Sequence, residues 1–138
     1  MDHDDLLKAN QTTLNNLPET KNIAPDAQIG ETSRVTGSVK IGAQTTIDNC
    51  IVRGPVIIGQ NCQLKDTYVG PYTSLDDHVK IVSSEIENTI VHEGASLSHI
   101  ENHIQDSIIG ARTRIARTKT QPAIYQFRVG EDNFIEIV

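Results

Sequence analysis

Aliphatic residues return along this chain at steps of five or six positions. From Ile23 the first steps are all six residues long, and the later ones are five or six residues long apart from one step of seven. Sorted by phase, these positions form three columns whose successive members are 16 to 18 residues apart. The columns are Ile47, Leu64, Ile81, Leu97, Ile115; Val35, Val52, Val69, Ile86, Ile104; and Ile41, Ile58, Leu75, Val91, Ile109. A repeat of this kind indicates one structural unit stacked many times.

Three columns in phase predict an all-β fold, a parallel β-helix of hexapeptide repeats over residues 19–116. Three short strands would form the sides of each triangular turn, and each turn would stack on the next at about 4.8 Å. β-Branched side chains, which dominate the columns, favour strands. A sandwich or an up-and-down barrel would instead require period-two alternation and hairpin turns such as Asn-Gly, which the sequence lacks.

A tight corner accounts for turns of 17 rather than 18 residues. Its repeated sequence places asparagine or aspartate at Asn49, Asp66, Asn88 and Asp106. These side chains bond to their own backbone and tolerate the left-handed conformation. Cys50 should stack on the residue one turn above it in this corner, whereas Cys62 falls on another side of the turn. We therefore expect two free thiols.

Both ends of the chain depart from the repeat. Residues 4–17 predict a helix within an N-terminal segment 1–18, because four leucines fall on one face and Pro18 ends the pattern. Those leucines are Leu6, Leu7, Leu14 and Leu17. We expect Leu6, Leu7 and Leu14 to be largely buried. The tail, 117–138, predicts two short strands, 127–129 and 134–138, around a turn.

Composition narrows the possible functions. The net charge is −6, which argues against nucleic acid as a partner, since binding to it requires a basic surface. No apolar run approaches the roughly 18 residues of a membrane span. Residues 1–20 are polar and lack the apolar core of a secretory leader, so the expected location is the cytoplasm, with reduced cysteines. Two cysteines without a CxxC pair predict no zinc site, and no metal is expected.

Several segments carry a family resemblance. Asp5–Asn10 is similar to the "DLLEAN" helix of long-form glucose-1-phosphate thymidylyltransferases, which belong to the sugar-1-phosphate nucleotidyltransferases. Arg53–Gly59, Val69–Ser74 and Glu85–Val91 resemble the left-handed β-helix that follows that helix, and Tyr125–Asp132 resembles the closing segment. The chain as a whole therefore resembles the C-terminal left-handed β-helix domain of this family.

The resemblance implies a structural role. In the family, segment 1–18 is the junction to a catalytic domain, and β-helices of this class assemble as homotrimers. A catalytic domain is a further possible partner. The Gly-rich "GxGTRLxP" nucleotide loop of that domain has no counterpart here, because Gly30, Gly42 and Gly59 are isolated corner glycines. The resemblance thus implies an oligomerisation domain that transfers no nucleotide on its own and needs no cofactor.

One alternative function is acyl transfer. The step from Leu97 to Ile104 is seven residues, which predicts a wider corner around His99. Hexapeptide acetyltransferases use a histidine at a subunit interface as base, with acetyl-coenzyme A alongside, and His99 falls at the histidine of their motif. The tyrosine of that motif is missing and its glycine is replaced by Gln105. A polar corner residue is the competing interpretation of His99.

The remaining histidines carry weaker hypotheses. His78 and His92 lie beside inward positions and should face solvent. His99 and His103 could contribute to a metal site, but their spacing has no special meaning in a loop. Glu85 and Glu87 belong to a set of glutamates that appear dispersed in the sequence.

Overall fold

A computed structural model describes residues 2–117 and 126–135; only the backbone of Gln126 is included. The chain winds into a parallel β-solenoid of about six turns, preceded by one helix, α1 (His3–Asn15). This confirms the predicted β-helix. Among the described residues, no helix has the length and apolar character needed to cross a membrane.

Three sheets form the sides of the solenoid, with strands numbered in chain order. Sheet A contains β1 (Lys21–Ile23), β4 (Val39–Ile41), β7 (Val56–Ile58), β10 (Thr73–Leu75), β13 (Ile90–Val91) and β16 (Ile108–Ile109). Sheet B contains β2 (Gln28–Ile29), β5 (Thr46–Asp48), β8 (Gln63–Lys65), β11 (Lys80–Val82), β14 (Ser96–Ser98), β17 (Arg114–Ala116) and β18 (Gln126–Arg128). Sheet C contains β3 (Arg34–Thr36), β6 (Ile51–Arg53), β9 (Tyr68–Val69), β12 (Glu85–Glu87) and β15 (Ile104–Gln105). We call the connections the AB, BC and CA corners.

The strand register reproduces the three predicted columns. Ile47 pairs with Leu64 in sheet B, and Val52 pairs with Val69 in sheet C. These four side chains are at most 2% exposed. In the first coil Val35 is only half-buried, because an end coil has a neighbour on one side. The hydrophobic core is therefore a stack of aliphatic layers.

The corners adopt the left-handed backbone that the sequence predicts. At the BC corner Asn49 and Asp66 have φ of 53° and 51°, and at the CA corner Asn88 and Asp106 have φ of 44° and 54°. The Nδ2 of Asn49 donates to Oδ1 of Asp66 at 2.7 Å, and Asn88 bonds to Asp106 in the same way at 2.6 Å. The sequence signature thus marks two corners rather than one.

The two thiols are buried, free and on different corners, as predicted. Cys50 lies at the BC corner, where its N–H donates to Ser33 Oγ at 3.0 Å. Cys62 lies at the AB corner, where its N–H donates to Thr45 Oγ1 at 3.2 Å. Burial raises the pKa of both thiols, so neither is an activated nucleophile.

Helix α1 lies against the outer face of sheet A. The side chain of Asp2 caps its N-terminus by accepting from the Asp5 N–H at 2.9 Å. Leu7 and Leu14 are 5% and 1% exposed, but Leu6 is 38% exposed. The prediction for Leu6 was therefore wrong. Residues seven apart share one helix face, whereas Leu6 is turned about a quarter of the circumference away from Leu7.

Polar contacts fix the helix to three successive coils. His3 Nε2 bonds to the Asp106 carbonyl at 2.7 Å, Gln11 Nε2 donates to Asn88 Oδ1 at 2.8 Å, and Ser74 Oγ donates to Asn10 Oδ1 at 2.6 Å. Tyr72 also donates its hydroxyl to Asn15 Oδ1 at 2.9 Å. The chain therefore descends along sheet A and the CA corner before it climbs as the solenoid.

The tail closes the last coil. Strand β18 pairs antiparallel with β17, which confirms a C-terminal strand pair. The strand partners differ from the predicted ones. Segments 127–129 and 134–138 were expected to pair with each other, whereas Phe134 bridges to Ile108. Residues 136–138 lie outside the described residues. Asn133 Oδ1 accepts from the Gly110 N–H at 2.6 Å. The last coil has an edge of unpaired backbone N–H and C=O groups. The tail segments form hydrogen bonds to this edge rather than to each other.

Candidate functional site

A charged cluster lies on the upper part of sheet C. Glu85 and Glu87 flank the inward Ile86 on β12, so both carboxylates point outward. His103 immediately precedes β15, one coil above. Its Nδ1 is 3.2 Å from Glu85 Oε2, and its Nε2 is 2.8 Å from Glu87 Oε1. One imidazole is thus clamped between two carboxylates at a partly exposed position.

An aromatic ring extends this cluster downward. The Tyr68 ring centroid is 6.0 Å from that of His103, and the Arg53 guanidinium carbon is 5.9 Å from the Tyr68 centroid. The ring lies across Gly70, where an added Cβ would come within 2.9 Å of the tyrosine hydroxyl and 2.8 Å of Glu87 Cβ. Glycine is therefore required there for the ring to lie flat on the sheet.

The predicted wide corner is present in the fifth coil. We call residues 99–103 the bulge. The Ile100 N–H approaches Ser84 Oγ at 3.4 Å, and Ile100 is half-buried above Ser84. Glu101 projects outward and pairs with Arg117 Nη1 at 2.7 Å. The extra residues therefore leave the inner stack intact and enlarge the outer surface.

His99 begins the bulge and is exposed. Its φ is 55°, and its N–H donates to the Val82 carbonyl at 2.9 Å. Within the described part of the chain, its imidazole has no hydrogen-bond or ion-pair partner. Histidine is one of the residues enriched in this left-handed conformation, so backbone geometry alone accounts for a histidine at this position. The structure does not place His99 in the cluster that holds His103.

The Glu85–Glu87–His103 cluster was not predicted from the sequence. His103 lies 18 residues after Glu85 and 16 after Glu87, which is one coil in each case. Outward residues one coil apart are neighbours, so the repeat length was the signal that could have joined them. His78 and His92 are both exposed.

The described residues contain few other site features. In ranges 2–117 and 126–135, no three histidine, cysteine, aspartate or glutamate side chains are grouped as metal ligands would be. A shallow groove of about 640 Å³ on the outer face of sheet B is lined by residues that include Asp48, Lys65 and Lys80. Neither His99 nor the His103 cluster borders this groove.

The sequence was compared with protein-family models and with known proteins. No family model matches the chain. The chain is 29% identical over 133 residues to a glucose-1-phosphate thymidylyltransferase of Streptomyces antibioticus, and 30% identical over 133 residues to that of Streptomyces griseus. Each match covers 96% of this chain but 36% of the relative. The chain therefore spans about a third of these relatives, in their C-terminal part.

Solved structures share the fold. GDP-perosamine N-acetyltransferase of Caulobacter crescentus, solved with coenzyme A and GDP-perosamine, superposes with a TM-score of 0.56 and 15% identity, over 80% of this chain and 55% of that one. The acetyltransferase domain of PglB from Neisseria gonorrhoeae, solved with acetyl-coenzyme A, gives 0.54 and 18%, over 79% and 55%. By fold the chain is a hexapeptide-type β-solenoid, and by sequence it is similar to the C-terminal part of glucose-1-phosphate thymidylyltransferases, as its motifs predicted.

Proposed function

We propose that this chain is the structural, oligomer-forming β-helix of a glucose-1-phosphate thymidylyltransferase-like protein. The observation that carries the proposal is the extent of the match, which covers 96% of the chain and only the C-terminal part of each relative. The nucleotide loop expected of a catalytic domain has no counterpart in the sequence. Nucleotidyl transfer therefore belongs to the part of the relatives that this chain does not match.

The fold suits this role. A stack of aliphatic layers makes a rigid prism that needs no ligand to hold its shape. Helix α1 covers sheet A, and the outer faces of sheets B and C carry no covering element among the described residues. We propose that these faces assemble the chain into a homotrimer.

Light scattering tests the assembly. At micromolar concentration the expected mass is close to three chains, and a mass of one chain would overturn the oligomerisation role. Incubation of the chain with glucose-1-phosphate and dTTP should yield no pyrophosphate. Catalysed release of pyrophosphate would overturn the assignment of nucleotidyl transfer to the unmatched part.

Acyl transfer is the second candidate, and the bulge is the observation that favours it. The bulge interrupts an otherwise regular corner and presents the exposed His99, and histidine is the side chain that most often acts as a general base. In this alternative acetyl-coenzyme A is the cofactor. The exposed Arg112 and Arg114, in the coil above, would supply positive charge for its phosphates, whereas Arg117 is already paired with Glu101.

Calorimetry separates the two candidates. Titration with acetyl-coenzyme A should give no saturable heat if the role is structural. Saturable binding that is lost in His99→Ala and kept in His92→Ala, with the oligomer intact in both, would establish the acyltransferase instead. His92 is the matched control because it is also an exposed corner histidine. Neither change should alter the free energy of unfolding by more than about 0.5 kcal/mol.

A further inference from the structure

The triangular section restricts how three copies can meet around an axis parallel to the solenoid. Flat sides of neighbouring triangular prisms lie flush about a twofold or a sixfold axis, but not about a threefold axis. A threefold axis instead sets a corner of each prism against a face of the next, so the contact is heterologous and closes into a ring. A trimer of this solenoid therefore needs one free face and one free corner beside it.

Helix α1 removes one face and one corner from this choice. It covers sheet A, and it bonds to the CA corner through Gln11 to Asn88 and through His3 to Asp106. Sheets B and C and the two corners AB and BC remain. Three combinations keep a face beside its own free corner without the helix: sheet C with the BC corner, sheet B with the AB corner, and sheet B with the BC corner.

The apolar surface favours sheet C. Ile51 points outward from β6 and is 44% exposed. The other exposed large apolar residues among those the structure describes lie on α1 or follow residue 126, so Ile51 is the one on a solenoid coil. One coil above it, the half-buried Tyr68 offers a flat aromatic ring. Such side chains at the centre of a charged face are typical of interface anchors.

The charges of sheet C change sign along the solenoid. The lower coils present Arg34 and Arg53, and the upper part presents Glu85 and Glu87. Within the described residues neither arginine belongs to a salt bridge. Sheet C therefore has a basic lower half and an acidic upper half.

The lower coils of the BC corner are acidic. Glu31 is exposed in the lowest coil, and Asp48, the last residue of β5, is exposed at the edge of the corner one coil above. In the third coil Lys65 and Asp66 are exposed side by side, so their opposite charges offset each other. Glu31 and Asp48 are in no salt bridge in the part of the chain that the structure describes. In a parallel ring, residues of equal height meet, so the acidic lower part of the corner would face the basic half of sheet C.

From this complementarity we infer that sheet C of one copy receives the BC corner of the next, with Ile51 at the contact and Arg34 and Arg53 facing the neighbour's Glu31 and Asp48. The inference rests on the proposed oligomeric role and identifies the surface through which the copies contact each other. It also brings the bulge of one copy, with His99, to the height of the neighbour's Glu85–His103–Glu87 cluster. Any chemistry of His99 would then involve two copies.

Three single variants of the full chain test the surface by light scattering. Ile51→Glu and Arg53→Glu should each convert the three-chain mass to one chain at micromolar concentration. Lys80→Glu, an exposed change on sheet B, should leave the mass unchanged. Circular dichroism should show the same β content in all three, since every change is on the outer surface.

Charge exchange provides the second measurement. Asp48→Arg should weaken assembly as Arg53→Glu does, and the double variant Asp48→Arg with Arg53→Glu should restore it. A trimer that survives Ile51→Glu, or that Lys80→Glu alone dissociates, would overturn the surface while leaving the oligomeric role intact. A wild-type chain with the mass of one copy would overturn that role first.

Discussion

The inside and the outside of this solenoid differ in how strongly stacking constrains them. Val52, Val69 and Ile86 occupy one inner column of sheet C, and all three are completely buried and aliphatic. Their outward neighbours Ile51, Tyr68 and Glu85 form one outer column with three different chemistries. Stacking requires similar shapes only where layers touch in a dry interior. The interior therefore determines the fold, and the outer faces are free to determine what the fold contacts.

A charge in an inner column should give the largest effect. Val69→Asp buries a carboxylate without a partner between aliphatic layers, so we expect a loss of several kcal/mol and an unfolded domain. Gln63→Asp, on the outer face of sheet B, is the control and should remain folded. Circular dichroism and thermal melting give the measurement. A folded Val69→Asp variant with an unchanged melting temperature would contradict the column assignment.

The face under α1 should behave like the interior. Leu14→Ala removes a side chain that is 1% exposed, and we expect it to lower the free energy of unfolding by about 2–5 kcal/mol. Leu6→Ala, at a position that is 38% exposed, should lower it by about 0.5 kcal/mol or less. Urea titration compares the two. Equal losses would mean that the helix packs through a different face.

Two buried threonines should respond in opposite directions to the same change. Thr45 Oγ1 donates to the Gly59 carbonyl at 2.7 Å and accepts from the Cys62 N–H, so Thr45→Val should cost about 1–3 kcal/mol. Thr73 Oγ1 is buried without a partner, so Thr73→Val should leave stability unchanged or raise it by up to about 1 kcal/mol. A loss in Thr73→Val as large as that in Thr45→Val would show that the Thr73 hydroxyl is satisfied.

The thiols should produce the smallest effect, which appears only in alkali. Burial raises the pKa of Cys50 and Cys62 in the folded chain, so the unfolded chain loses these protons first. The contribution of the thiols to the free energy of unfolding is therefore fully present below about pH 8.5. It is lost as the pH rises toward the folded-state pKa, by at most about 1.4 kcal/mol per pH unit for each thiol. Urea titrations at pH 7 and 10 measure the fall.

A double variant isolates the thiol contribution. Cys50→Ser with Cys62→Ala replaces both thiols by residues that occupy the same inner positions in other coils, Ser84 and Ala95. This variant should lose the part of the pH dependence that is due to the thiols. A double variant whose alkaline fall equals that of the wild type would assign the fall to other groups.

What the sequence predicts follows the same division. The columns, the left-handed corners at Asn49 and Asp66 and the separate thiols could be predicted, because each repeats with the coil. The clamp on His103 was missed although its spacings of 18 and 16 residues correspond to one coil, because the repeat shows which outward residues are neighbours but not which of them bond. The exposure of Leu6 was also missed, because the pattern of leucines in the helix does not show which face of the helix packs against sheet A. Contacts between unlike elements, such as Phe134 with Ile108, have no periodic signal at all.

Helix α1 changes how independently the coils of the solenoid can fold and unfold. Coils that touch only their nearest neighbours form a one-dimensional array, which can fray or grow one layer at a time. The bond from His3 to Asp106 joins residues 103 positions apart, and the same helix also holds Asn88 and Ser74. Closing so long a loop has an entropic cost that only a preformed stack of coils can offset. The helix should therefore dock after the upper coils have formed, and from then on those layers open together or not at all.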